Sequence, residues 1–151
     1  MLHIKLKKIT ALMLTVLMLF TVMPVTYSAE VSDFVDFPTG WSADAVKAAV
    51  DNGLLVGRTA TELVPGGCLT RAEMATIVNR AFGAKIEADI SSYKDVSRSA
   101  WYYHEIAKAV NMQTFQGDGT TIMRPDDCIT REEVFTVIAR AFVLESNDYS
   151  P

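Results

Sequence analysis

The chain has 151 residues, with 14 basic and 18 acidic side chains, and half of its residues are hydrophobic. An acidic balance speaks against nucleic acid and anionic lipid as partners, because phosphate backbones are held by Lys and Arg that displace counterions. Its two cysteines, Cys68 and Cys128, are too few for a metal motif.

The first segment reads as a leader and is set aside from the fold. Lys5, Lys7 and Lys8 precede an apolar run from Ile9 to Val22, and small residues follow up to Ala29. This is the layout of a secretory signal peptide over residues 1–29. The run is shorter than the roughly 20 residues a spanning helix needs, so no membrane association is expected after cleavage. Removing the three lysines leaves 11 basic against 18 acidic residues, a net charge of 11 − 18 = −7. Any anion bound here must be met by locally placed cations.

The remainder is an internal duplication. At an offset of 60, the 42 positions from Trp41 to Phe82 share 14 identities with Trp101 to Phe142, without a gap. A period of this kind marks a supersecondary unit that cannot bury its apolar face alone. In the first unit Ser42 is the expected N-cap of a helix with Val46, Ala49 and Val50 inward, closed by Asn52-Gly53. A loop from Leu54 to Leu69 holds Gly57, Pro65 and Gly66-Gly67; Leu54–Val56 and Leu63-Val64 suit short extended pieces. A second helix opens at Thr70, with Met74, Ile77, Val78, Ala81 and Phe82 on one face, and Gly83 stops it. The second unit repeats the plan. Its first helix begins at Ser99 or Ala100 with Ile106, Ala109 and Val110 inward. Gly117-Asp118-Gly119 makes a turn, and a helix from Thr130 turns Val134, Val137, Ile138, Ala141 and Phe142 inward. Gln113 replaces Gly53, so this unit's first helix is expected to end differently. The expected fold class is all-α: repeat 1 over 30–83, a connector over 84–92, repeat 2 over 93–145.

The most specific local pattern is Leu69-Thr70-Arg71-Ala72-Glu73, echoed as Ile129-Thr130-Arg131-Glu132-Glu133. Thr70 with Glu73, and Thr130 with Glu133, are capping boxes in which hydroxyl and carboxylate satisfy each other's backbone amides. The arginines fit less well, since a cation at the first helical position opposes the macrodipole. Free amides beside a guanidinium fork suit a carboxylate or phosphate. The structural reading of Arg71 and Arg131 is instead a surface salt bridge, to Glu73 or Asp126.

Together, Phe34-x-Asp36, Trp41, Gly57, Pro65 and the Thr-Arg-Ala-Glu segment resemble an S-layer homology repeat. Tyr93-x-Asp95, Trp101, Gly117-Asp-Gly119, Pro125 and Thr130–Glu133 resemble a second. The resemblance implies a pseudo-threefold helical spindle, here incomplete, with Ser146–Pro151 as the start of a truncated third repeat and Tyr149 as its opening aromatic. It implies non-covalent attachment of a secreted protein to the bacterial cell wall or S-layer by binding an anionic, pyruvylated secondary cell-wall polysaccharide. Arg71, Arg131, Gly57 and Gly117 are then the ligand contacts. The chain itself, or another S-layer homology chain, becomes the partner that supplies a third repeat.

Trp41 and Trp101 are read as core anchors, with sugar stacking as the other role. Tyr102, Tyr103 and His104 are read as surface. Cys68 and Cys128 are expected as two reduced, buried thiols, because equivalent positions of a pseudo-symmetric spindle meet only at its axis. No catalytic constellation is present: after the leader His104 is the one histidine, and Asp126-Asp127 are adjacent instead of opposed across a cleft. No cofactor or metal is expected. A calcium-dependent, dockerin-type module is the alternative that Asp118 and Asp126-Asp127 invite, but the EF-hand ligand spacing is missing.

Overall fold

The structure, a computed structural model, describes residues 29–142. The proposed leader and the proposed start of a third repeat fall outside the described residues, apart from Ala29. A short 3-10 turn at Val31–Asp33 precedes four helices: α1 (Ala43–Asp51), α2 (Arg71–Phe82), α3 (Tyr103–Asn111) and α4 (Arg131–Ala141). Among the described residues there is no strand. One isolated antiparallel bridge joins Thr70 to Cys128.

Both second helices start where their capping boxes place them. Thr70 Oγ1 accepts from Glu73 N at 3.2 Å, and Glu73 Oε2 accepts from Thr70 N at 2.7 Å. Thr130 and Glu133 repeat this at 3.2 and 2.9 Å. Gly83 ends α2 in the left-handed conformation, φ 66°, which glycine adopts without a Cβ clash. The first helices are less locally determined. Ser42 precedes α1 without a side-chain cap bond. Helix α3 begins at Tyr103, later than the Ser99–Ala100 start expected, because turn hydrogen bonds from Ala100 N to Ser97 O and Tyr103 N to Ala100 O occupy that stretch. The expected difference at Gln113 is also absent. Gln113 takes φ 61° where Gly53 takes φ 69°, and the turn beyond closes alike, on Ala49 O from Leu54 and Leu55 N and on Ala109 O from Thr114 and Phe115 N. The two bonds per carbonyl offset the cost of a left-handed non-glycine residue.

Each long loop is pinned by an aspartate. Asp36 accepts from Leu63 N at 2.8 Å and Val64 N at 2.7 Å; Asp95 accepts from Met123 N at 2.9 Å and Arg124 N at 2.6 Å. The clamped residues Val64 and Arg124 carry φ of 55° and 56°, uncommon for side chains with a Cβ. The amide bonds hold the Asp36 carboxyl below the usual carboxylate range, Leu63 contributing most, against a smaller upward push from desolvation.

The core lies where α2 crosses onto repeat 2, and α2 packs most extensively against α3. Ala72, Ala75 and Val78 are buried there with Ile106, Ala107 and Ala109. Burying a side chain such as Ile106 contributes about 1.5–3 kcal/mol. The inward face of α2 is therefore rotated from the periodic expectation: Met74 and Val78 are buried, Ile77 is half-buried, and Ala81 and Phe82 are exposed. On α4 Val137 is buried, while Ile138 and Phe142 are exposed.

The aromatics also trade places. Trp41 is 99% and Trp101 63% exposed, so neither is a core anchor. Tyr102, expected at the surface, is buried, and its hydroxyl donates to Asp126 Oδ2 at 2.9 Å. Trp101 lies in the turn ahead of α3, outside the helix's inward register, and its neighbour takes the core position instead.

The cysteines are joined. Cys68 and Cys128 form a disulfide with a Cα–Cα separation of 5.7 Å, which overturns the expectation of two reduced thiols. Nor are they buried; both lie in exposed segments. The reason is the pairing between repeats: Ile129 N donates to Leu69 O and Arg71 N to Asp127 O, both at 2.9 Å. That antiparallel contact brings the equivalent positions together, as lining an axis would. A cross-link spanning 60 residues removes loop-closure entropy from the unfolded chain. Replacing both cysteines by serine is expected to lower stability by about 2–4 kcal/mol in urea unfolding, and the unfolded, unreduced wild type to show no titratable thiol.

Candidate functional site

Two grooves share one design at an offset of 60 residues. The inter-repeat groove, about 190 Å³, is floored by Phe115, Gly117 and Asp118 of the second loop, walled by Glu133, Val137 and Arg140 of α4, and entered from repeat 1 by Arg71. The first-repeat groove, about 810 Å³, is lined by the counterparts Leu55, Gly57, Arg58, Glu73, Ile77 and Arg80. Among the described residues its arginines are Arg58 and Arg80, both of repeat 1.

Arg71 is the inter-repeat element. The residue is 5% exposed. Nε donates to Met123 O at 2.9 Å, Nη1 to Glu133 Oε1 at 2.7 Å, and the guanidinium lies 5.6 Å from the Phe115 ring centroid. Its salt bridge is to the other repeat's capping glutamate, not to Glu73 or Asp126. Burial pulls the guanidinium below its ordinary value, opposed by the Glu133 charge. Glu133 also receives Arg124 Nη2 at 2.7 Å. Burial alone would raise this carboxyl, but the Thr130 amide and the two arginines outweigh it and hold it low. In the first repeat Glu73 instead accepts from Arg58, Nε at 2.7 Å and Nη2 at 2.9 Å. Burial pushes Glu73 up, and the bonds from Arg58 and Thr70 more than reverse this.

The first turn of α2 has no free amides for an anion. Arg71 N and Ala72 N donate to Asp127 O and Pro125 O at 2.9 Å each, and Glu73 N is capped. Arg131 is exposed and lines neither groove. The structure thus places Arg71 and Gly117 together, Gly57 in the other groove, and Arg131 apart. Both glycines are demanded by packing. A Cβ at Gly57 would meet Thr59 O at 2.5 Å and the Phe34 ring at 2.6 Å; one at Gly117 would meet Ile122 O and the Tyr93 ring at 2.7 Å each. Trp41 and Trp101 both line the first-repeat groove.

Sequence reasoning missed Arg140 and Arg124. Arg140 was visible as an identity with Arg80. Arg124 has Val64 as its counterpart, so the repeat gave no signal for it. The aspartate clamps were likewise visible only as parts of a motif, without a role.

A family model described as S-layer homology domain matches residues 33–75 and 92–135. Among curated relatives, the chain is 35% identical to the "Surface-layer 125 kDa protein" of Lysinibacillus sphaericus over 82% of its own length and 10% of that protein's. It is 32% identical to "Exoglucanase XynX" of Acetivibrio thermocellus over 72% of its length and 10% of that protein's. It is 28% identical to an "S-layer protein" of Bacillus thuringiensis subsp. finitimus over 93% of its length and 17% of that protein's. The chain spans between a tenth and a fifth of these relatives.

The buried arginine and the exposed one separate cleanly in stability. Arg71→Ala is expected to cost about 1.5–3 kcal/mol in urea unfolding, the worth of a charge-assisted bond; Arg131→Ala is expected to change it by less than about 0.5 kcal/mol. Acid gives a second check. Folded-state values of Glu73 and Glu133 below their unfolded values stabilise the protein at neutral pH, above the unfolded value. That contribution is lost as pH falls through the depressed values,. Stability should therefore drop between about pH 5 and pH 3, and Glu133→Gln, which can still cap α4, should flatten the drop.

Proposed function

Because the chain belongs to the S-layer homology domain family, we propose that it binds an anionic secondary cell-wall polysaccharide through the groove between its two repeats. S-layer homology domains are wall-anchoring modules, and the chain is a secreted, cell-surface protein associated with the wall. The finer assignment is ours: the acidic group of the sugar, a pyruvyl ketal carboxylate, meets the arginines of this groove. The observation that carries it is convergence. On an acidic chain, Arg71 from repeat 1 and Arg124 and Arg140 from repeat 2 face one groove. Arg71 and Arg124 share the single carboxylate of Glu133, and Arg140 has no ion pair among the described residues. Guanidinium forks suit carboxylates because their planar donors bond both oxygens. Arg71 is rigidly held at the groove; Arg124, exposed and paired with Glu133 and Asp127, and Arg140 are the residues that reach a ligand. Arg131 and Gly57, expected as contacts in the sequence reading, would serve an equivalent groove only with a further repeat beside them.

The dockerin-type alternative finds no support. The aspartates that suggested it are engaged elsewhere, Asp118 with Thr120 N and Oγ1 and Asp126 with the Tyr102 hydroxyl. The likeness to enzymes covers a tenth or less of the two proteins XynX and amylopullulanase, and we assign no catalysis to this chain.

Sedimentation with purified wall sacculi tests the reading. The chain is expected to co-sediment, and stripping the secondary polymer to abolish this. Arg140→Ala and Arg124→Ala should each weaken binding about ten- to a hundredfold with helical circular dichroism unchanged. Equal binding to bare peptidoglycan, or normal binding by both variants, would overturn the assignment.

A further inference from the structure

The contacts that seal repeat 1 onto repeat 2 have counterparts, 60 residues on, that are unmade among the described residues. Arg71 gives its guanidinium to Glu133, and the amides of Arg71 and Ala72 go to carbonyls of the next loop. Arg131 and Glu132, at the equivalent turn of α4, are exposed, with no ion pair or amide partner among the described residues. The apolar face repeats as well. Ala75 and Val78 are buried under α3, whereas Phe135 is 63% and Ile138 38% exposed. At the other end of the molecule α1 is the counterpart of α3. Fully buried Ile106 has its equivalent in Val46, which is only half-buried and lines the open first-repeat groove.

The two open faces are matched to each other where they depart from the sealed contact. Across that contact Asn79 Nδ2 donates to Glu105 O at 2.8 Å and to its carboxylate at 2.9 Å. The counterparts of this pair are Ala139 and Ala45, neither of which needs a partner. Ala72 and Ala107 are both buried at the sealed contact; their counterparts are Glu132 and Lys47, opposite in charge and both exposed. Lys47 is held by Asp51 in an exposed pair one turn away, which solvent screens. Glu133 answers two guanidiniums, whereas among the described residues Glu73 answers one, that of Arg58.

We propose that a second copy of this chain docks head to tail, its α1 and first-repeat groove against the α4 face of the first. Arg131 then reaches Glu73, and Glu132 reaches Lys47. The occupant is a second copy because this chain itself carries both halves of the contact, complementary in charge and in the paired alanines. A head-to-tail contact repeats until the copies close on themselves or form an open array.

Sedimentation equilibrium of oxidised residues 30–151, without wall material, tests this independently of polymer binding. The expected result is a mass that rises with concentration. Lys47→Glu alone or Glu132→Lys alone should weaken association by about tenfold, since like charges then meet, and the chain carrying both changes should recover it. Both positions are exposed, and circular dichroism is the check that each variant is folded. A monomer at all concentrations up to about 1 mM overturns the proposal. So does indifference to both single changes, or a double variant that does not recover, and in each case the wall-binding reading stands or falls on its own assay.

Discussion

The buried guanidinium of Arg71 ties the two repeats together at the seam where their backbones also pair. It donates to a loop carbonyl of the second repeat, to that repeat's capping glutamate, and lies against Phe115. Taking a cation out of water is costly unless every donor finds a partner. The partners here come from the α4 capping box and from the loop whose shape the Asp95 clamp sets.

Around that contact the loops are built from small, repeated devices. An aromatic ring packs on a glycine, an aspartate takes two amides, and a left-handed residue closes each first helix. These devices hold the groove walls without strand pairing, and they tolerate changes at the lining positions. Arg58 in one loop thus becomes Asp118 in the other, and Val64 becomes Arg124, while the frame stays the same. The disulfide adds a covalent tie at the same inter-repeat seam.

Two grooves of one design but different filling follow from a repeat protein's linear logic, in which each unit contacts its neighbours. The groove between repeats receives an arginine from the preceding unit and becomes small and polar. The groove of repeat 1 receives none among the described residues and is large and mainly apolar, rimmed by Trp41 and Trp101. We assign attachment to an anionic wall polymer to the inter-repeat groove and association between chains to the first-repeat groove. Both draw on the same motif, read once from inside the contact and once from its open end.

By itself the sequence determined the duplication, the helical class and the starts of α2 and α4. Those rest on local chemistry, namely the capping boxes, the glycine stop at Gly83 and helical periodicity. It also carried the family resemblance that the comparisons bear out. The tertiary structure alone decided which face of α2 is buried, since that depends on α3 crossing over it, and where Trp101 and Tyr102 point, since one residue of helix start exchanges surface for core. It decided that Cys68 and Cys128 pair, because strand-like contact between repeats is a long-range event that no spacing reveals. It also decided that Arg71 is an internal bond and Arg131 an exposed one. The two have the same local sequence signature, and what separates them is that one has a repeat beside it among the described residues and the other does not.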